Sequence, residues 1–203
     1  VTYHINEIFY TLQGEGAWTG HAAVFCRFSG CNLWSGYEED RAGAICTFCD
    51  TDFVDSTVYE LEDLVEHIDD HWPGNDDHKL VVLTGGEPAK QIDFELVRAL
   101  HLAGFVVHVE TNGTLDLPPN LDWVCVSPKT RTLRVRHGSE LKLVYPQERI
   151  TPDLFERLSF GRFSLSPMDG PDLAENTAAA VEYVLAHPQW RLNIQTHKMI
   201  GVR

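Results

Sequence analysis

Short runs of apolar and β-branched residues recur at 22–29, 79–83, 105–109, 121–126, 141–144, 160–165 and 190–194. Each is brief, and most are flanked by Gly, Pro, Asp or Asn, so they read as strands. Between them, 61–71, 94–103, 152–158 and 173–187 carry apolar residues at three- and four-residue intervals, the period of a helix with one buried face. This alternation predicts an α/β fold with a mainly parallel sheet and right-handed crossovers. No repeat, low-complexity tract or linker divides the chain, so residues 1–203 read as a single domain.

Nearly every predicted strand leads into a polar or glycine-bearing phrase. The first leads to a group of cysteines. Later ones lead to Thr84-Gly85-Gly86-Glu87-Pro88, Glu110-Thr111-Asn112-Gly113, Ser127-Pro128-Lys129, Ser166-Pro167-Met168-Asp169-Gly170 and Gln195-Thr196-His197-Lys198. Ligands of parallel α/β folds bind at the carboxyl ends of the strands, so these phrases are expected to face one cavity. The length suits about six strand-helix units rather than eight, which predicts an incomplete TIM-type barrel with the cysteine loop after its first strand.

Composition narrows the setting. Apolar residues make up 43% and charged residues 23% of the chain, ordinary values for a globular protein. No apolar run approaches the ~20 residues that span a bilayer, so no membrane association is expected. The opening Val-Thr-Tyr-His-Ile-Asn-Glu lacks the basic start and apolar centre of a secretory signal, and a cytoplasmic location is expected. A net charge of −14 argues against nucleic acid as a partner, because phosphate-tracking surfaces need clustered Lys and Arg.

The cysteines change the picture most. There are five, an odd number, and three are spaced Cys31-X14-Cys46-X2-Cys49 just after a strand. Such crowding in a reducing compartment favours metal or cluster ligation over disulfides. Three thiolates on one loop can hold three irons of a four-iron cluster and leave the fourth iron open to an external ligand. A zinc site and a redox Cys-x-x-Cys are the competing readings; the first lacks a fourth ligand at suitable spacing and the second leaves Cys31 unexplained. Cys26 and Cys125 lie within apolar strands and read as core residues.

The cysteine loop, with Phe48 before its last cysteine, resembles that of the radical S-adenosylmethionine superfamily, with the spacing between the first two cysteines stretched. The stretched spacing, Gln13-Gly14-Glu15-Gly16 upstream and Asp50-Thr51-Asp52-Phe53 downstream resemble the family of 7-carboxy-7-deazaguanine synthases, from about Ile5 to the C-terminus. That resemblance implies a radical carbon-nitrogen lyase that contracts 6-carboxy-5,6,7,8-tetrahydropterin to 7-carboxy-7-deazaguanine with release of ammonia, in queuosine or deazapurine biosynthesis. It implies a 4Fe-4S cluster on Cys31, Cys46 and Cys49, S-adenosyl-L-methionine, and Mg2+ on Thr51. It places the cofactor against Phe48, Asp50, Gly85, Gly86, Glu87, Ser127, Lys129, Ser166, Met168 and Asp169, with Glu87 accepting from the methionine amine. It places the substrate against Leu12, Gln13, Gly14, Glu15, Thr84, Glu110 and Arg203, with the Arg27 guanidinium on the substrate carboxylate. A homodimer and an electron donor such as flavodoxin or ferredoxin are implied as partners. The rivals are a glycyl-radical-enzyme activating enzyme, whose cysteines are normally three residues apart, and a non-catalytic zinc-binding domain. In one respect the chain departs from the family: after Phe53 it passes from 54–57 almost directly toward a helix, without the expected glycine-rich loop.

Overall fold

The computed structural model describes residues 1–74 and 77–202. In chain order the elements are β1 (Thr2–Leu12), β2 (Ala22–Phe28), β3 (Thr57–Glu60), α1 (Leu61–Asp70), β4 (Leu80–Gly85), α2 (Phe94–Leu102), β5 (Val106–Thr111) and β6 (Trp123–Val126). They continue with β7 (His137–Gly138), β8 (Glu140–Tyr145), β9 (Ser159–Phe160), β10 (Phe163–Pro167), α3 (Leu173–Ala186), β11 (Trp190–Leu192) and α4 (Thr196–Ile200). A large sheet runs β11-β10-β8-β6-β5-β4-β2-β1-β3, and β7 pairs with β9 apart from it. From β2 to β11 the neighbours are parallel, whereas β1 is antiparallel to both β2 and β3. The result is a mixed α/β fold with a large, mostly parallel sheet that does not close, its edges being β3 and β11.

Apolar periodicity places the core. Val24, Cys26, Val81, Leu83, Val107 and Val109 on one face of the sheet meet Leu64 and Ile68 of α1 and Leu96, Val97 and Leu100 of α2, all buried. At the other end Leu141, Leu143, Leu165 and Trp190 are buried with Phe155 and Phe160, and Tyr183 and Val184 of α3 pack against them. Each fully buried aliphatic side chain contributes roughly 1.5–3 kcal/mol. The start of α2 is capped: Asp93 accepts from the Leu96 amide at 2.9 Å and from the Tyr3 hydroxyl at 3.0 Å, a cap of about 1 kcal/mol that also ties β1 to the helix layer.

Several expectations need correction. The strand leading to the cysteines is the second, because β1 precedes it; it is the first only of the parallel set. The segment after Phe53 enters a helix through strand β3, not directly. The expected helix at 152–158 is a single 3-10 turn, Pro152–Leu154, since so few residues cannot offset the cost of helix nucleation. The strand at 160–165 is split, with Phe160 pairing to β7 and Phe163 to the main sheet. Six strand-helix units are therefore too many: β5 to β6, β6 to β8 and β8 to β10 connect without an α-helix. Among the described residues no helix is long and apolar enough to cross a membrane.

Candidate active site

The carboxyl ends of the parallel strands surround one cavity of about 730 Å³. It is lined from β2 by Arg27 and the cysteine loop, from β4 by Thr84, Gly85 and Gly86, and from β5 by Glu110. Ser127 and Lys129 follow β6, and Ser166, Met168 and Asp169 close β10. The expected Leu12 ends β1, Gln13, Gly14 and Glu15 come from the turn after it, and Phe48, Asp50 and Thr51 from the cysteine loop. Every expected site residue is thus at this cavity except two. Glu87 is fully buried and does not line it, and Arg203 lies outside the described residues.

The long interval between the first two cysteines is folded aside as a side excursion. The Leu33 carbonyl accepts from the amides of Ile45 at 3.0 Å and Cys46 at 3.4 Å, which closes the excursion at its base and sets Cys46 and Cys49 beside Cys31 on the cavity. Within it, Arg41 stacks 4.0 Å over the Trp34 ring and donates to the carbonyls of Thr47 at 3.0 Å and Cys49 at 3.1 Å. One guanidinium therefore clamps the turn that carries two of the thiols. Replacing Arg41 by Met removes two charge-assisted bonds of roughly 1.5 kcal/mol each, so amide exchange across 44–51 should rise by about a hundredfold and that in α1 stay unchanged; equal exchange in both proteins would refute the clamp.

The thiols are not equivalent. A hydrogen bond from Cys46 lowers the pKa of the Cys49 thiol, while the same bond and burial push that of Cys46 up. Burial also raises Cys31, against the Leu33 and Trp34 amides that lower it. Cys26 and Cys125 are buried in the sheet and away from the cavity, as their apolar flanks predict. No three His, Cys, Asp or Glu side chains among the described residues close around a single metal ion.

The Gly-Gly-Glu phrase is a backbone junction. The Gly86 amide donates to Phe28 O and the Glu87 amide to Gly30 O, both at 3.0 Å, so the end of β4 lies directly on the chain entering the cysteine loop. A Cβ on Gly85 would stand 2.3 Å from Phe28 O, and one on Gly86 2.3 Å from Gly30 O; Gly85 also has a φ of +124°. Only glycine permits this approach. The Glu87 carboxylate accepts from the Thr111 hydroxyl at 2.6 Å, the Asn112 amide at 2.7 Å and the Ala89 amide at 3.0 Å. Glu87 was expected to offer its carboxylate to a ligand amine, but the carboxylate is instead spent on the end of β5. Burial raises its pKa against these three donors.

A polar wall of the cavity is built around Lys142. Lys142 of β8, 4% exposed, reaches Glu15 Oε2 at 2.6 Å and Glu110 Oε2 at 2.7 Å. Gln13 donates to Glu110 Oε1 at 3.0 Å and Gln195 to Glu15 Oε1 at 2.8 Å. Burial works to raise the Glu15 pKa, but Lys142 outweighs it and holds the carboxyl below the usual carboxylate range. Arg27 lines the cavity with its Nε paired to Glu7 at 2.8 Å. Lys142 was missed by the reading above, although a Lys between Leu141 and Leu143 is the same signal that singled out Arg27 in its strand.

The remaining wall carries two lysines. Lys129 donates to Ser127 Oγ at 2.6 Å and lies 5.7 Å over the Phe48 ring, and burial lowers its pKa. The Gln195-Thr196-His197-Lys198 phrase follows β11 as expected and opens α4, and Gln195, His197 and Lys198 line the cavity. Lys198 pairs with Asp50 at 2.9 Å and with Asp169, joining the cysteine loop to the end of β10.

No family model matches the chain. Individual relatives do. It is 57% identical to 7-carboxy-7-deazaguanine synthase of Bradyrhizobium diazoefficiens and 56% identical to that of Caulobacter vibrioides, over the whole of both proteins in each case. The chain belongs to the 7-carboxy-7-deazaguanine synthase family. A solved structure of QueE from Escherichia coli superposes with a TM-score of 0.71 at 28% identity, covering 97% of this chain and 95% of that one. The alignments to the two synthases run over 210 and 209 positions against 203 residues here, so each synthase carries a few residues that this chain lacks.

Proposed function

We propose that this chain is a radical S-adenosylmethionine lyase that converts 6-carboxy-5,6,7,8-tetrahydropterin to 7-carboxy-7-deazaguanine with release of ammonia, feeding queuosine or deazapurine biosynthesis. The observation that carries the reading is the convergence of Cys31, Cys46 and Cys49 with the acidic wall of Glu15 and Glu110 on one cavity, in a chain 57% identical throughout to a named synthase. The three thiols suit a 4Fe-4S cluster with one open iron: they share the cavity, and the two other cysteines are buried away from it. When bound, the cluster and S-adenosylmethionine supply abstraction of a substrate hydrogen atom and its later return.

The protein's own groups bind and orient. The backbone of Gly85 and Gly86 meets the methionine end of the cofactor, with Glu87 holding that backbone in place from behind. Phe48, Asp50, Ser127 and Lys129 face the ribose and carboxylate, and Ser166, Met168 and Asp169 the adenine. Leu12, Gln13 and Gly14 hold the pyrimidinone edge beside Glu15, Glu110 and Thr84, while the outer nitrogens of Arg27 serve the substrate carboxylate. Arg203 is a further substrate contact. Mg2+ suits Thr51, a cavity-lining residue between two aspartates in sequence; a hard cation that keeps several waters needs few protein oxygens. We read the open sheet as an incomplete barrel forming a single domain over 1–203. The enzyme works in the cytoplasm, as a homodimer, with flavodoxin or ferredoxin as electron donor.

Fourteen residues between the first two cysteines and a full-length synthase likeness speak against a glycyl-radical activating enzyme or a zinc-binding domain. Anaerobic reconstitution with iron and sulfide, then incubation with the tetrahydropterin, S-adenosylmethionine, Mg2+ and a reductant, is expected to yield the deazaguanine acid by mass spectrometry. A visible cluster spectrum without that product would overturn the substrate, and no cluster spectrum would overturn the radical class.

A further inference from the structure

Lys142 sits where sheet register concentrates charge. Glu110 of β5 is level with Cys125 of β6, and Cys125 with Glu140 of β8; Lys142 lies two residues further along β8, on the same face. Its ammonium is shared between Glu15 and Glu110, and the second oxygen of each accepts from a primary amide. Three side chains thus make four hydrogen bonds to two carboxylates, one to each oxygen. Both carboxylates keep part of their surface on the cavity, with side chains 19% and 23% exposed. What they present there is acceptor capacity alone.

Two carboxylates within reach of one ammonium stand too close together to remain ionised without it: like charges at such range force one site to keep its proton. The protonated partner would then present a donor to the cavity. We propose that Lys142 is a positioning and specificity-determining residue. It keeps Glu15 and Glu110 both ionised, so that this wall takes a ligand edge rich in N–H donors, such as the amino-pyrimidinone edge of a reduced pterin, and rejects an edge that offers only acceptors. The inference rests on the pterin reading above and extends it from the residues that touch substrate to the one that sets their charge. The other ionisable groups facing this cluster are Cys125, Glu140, Lys129 and His197. Of these, the Glu140 carboxylate is already committed to the Ser164 hydroxyl at 2.7 Å and the Ala17 amide at 2.9 Å.

The test is the pH dependence of KM for the tetrahydropterin in the reconstituted holoenzyme, wild type against Lys142→Met. Wild-type KM should stay level from mildly acid to mildly alkaline pH. In the variant KM should rise roughly tenfold at neutral pH, the worth of one charge-assisted hydrogen bond, and fall back toward the wild-type value as pH rises and the shared proton leaves. The rate constant kcat should change far less, and the visible spectrum of the cluster should not change. If Lys142→Met does not fold, Lys142→Gln, which keeps a polar group without the charge, is read the same way. An unchanged KM, or one raised equally at every pH, overturns the inference. A wild-type enzyme that makes no deazaguanine acid overturns the pterin reading instead, so the two failures are distinguishable.

Discussion

Cys31→Ala, purified and reconstituted anaerobically, should lose the visible absorption of the cluster and all measurable formation of 7-carboxy-7-deazaguanine. Groups that merely support a metal ligand alter metal affinity by about 10–100-fold, so removal of a ligand itself should exceed that. Cys31 precedes the pinch made by the Leu33 carbonyl and Cys46 and Cys49 follow it, so the loop supplies no neighbouring thiol to take its place. Cys26→Ala is the matched control. Cys26 is fully buried in β2 and does not line the cavity, so its loss should cost about 1 kcal/mol of stability and leave iron content intact. Iron and sulfide analysis of both variants decides the matter: equal loading would refute the assignment of the cluster to this loop.

Gly86→Ala is the second substitution with a large expected effect, and its cause is purely steric. The added methyl carbon would stand 2.3 Å from Gly30 O, 2.6 Å from Gly30 C and 3.1 Å from Cys31 N, all backbone atoms that no rotamer change can clear. The chain entering the cysteine loop must move, and the bond from the Glu87 amide to Gly30 O goes with it. Overpacking of this kind costs about 2–4 kcal/mol, which for a chain of this size lowers Tm by roughly 10 °C. A displacement near 1 Å at the cofactor should also reduce turnover about a hundredfold. At Gly43 the same methyl meets nothing within 4 Å and the backbone φ is ordinary, so Gly43→Ala should be neutral or slightly stabilising. If calorimetry finds the two variants equally stable, the close approach of β4 to the cysteine loop is not what demands glycine at position 86.

Much of the fold was legible because burial leaves a period. Leu96, Val97 and Leu100 repeat as a helix face must, and β4 and β6 read as apolar runs because both faces of a parallel sheet are covered, with β5 broken only by the buried His108 before its polar end. Strand β1 was not legible in this way. It lies near the sheet edge, and only Tyr3 and Ile5 along it are fully buried, so its apolar signal is diluted by Asn6, Glu7 and Thr11. The turn at 152–154 misled for the opposite reason: Phe155 and Ile150 are buried, but through a loop with no helical ladder beneath it. Among functional residues, those at strand ends were found because a parallel sheet delivers them to one place.

Three cysteines of unequal spacing are a property of the chain, and with them came the expectation of an open iron and of radical chemistry and the likeness to a synthase family. The order of strand-end phrases, likewise local, was enough to say which residues would share a cavity. Which way a side chain turns once it is there was decided by tertiary structure alone. Glu87 turns inward because the Thr111 and Asn112 donors, more than twenty residues away in sequence, are brought to it by the pairing of β4 with β5. Lys142 becomes the counter-charge of Glu15 and Glu110 only because the sheet sets β8 near β5 and the turn after β1 folds over both. An ion pair depends on separation in space, and no spacing along the chain encodes that distance.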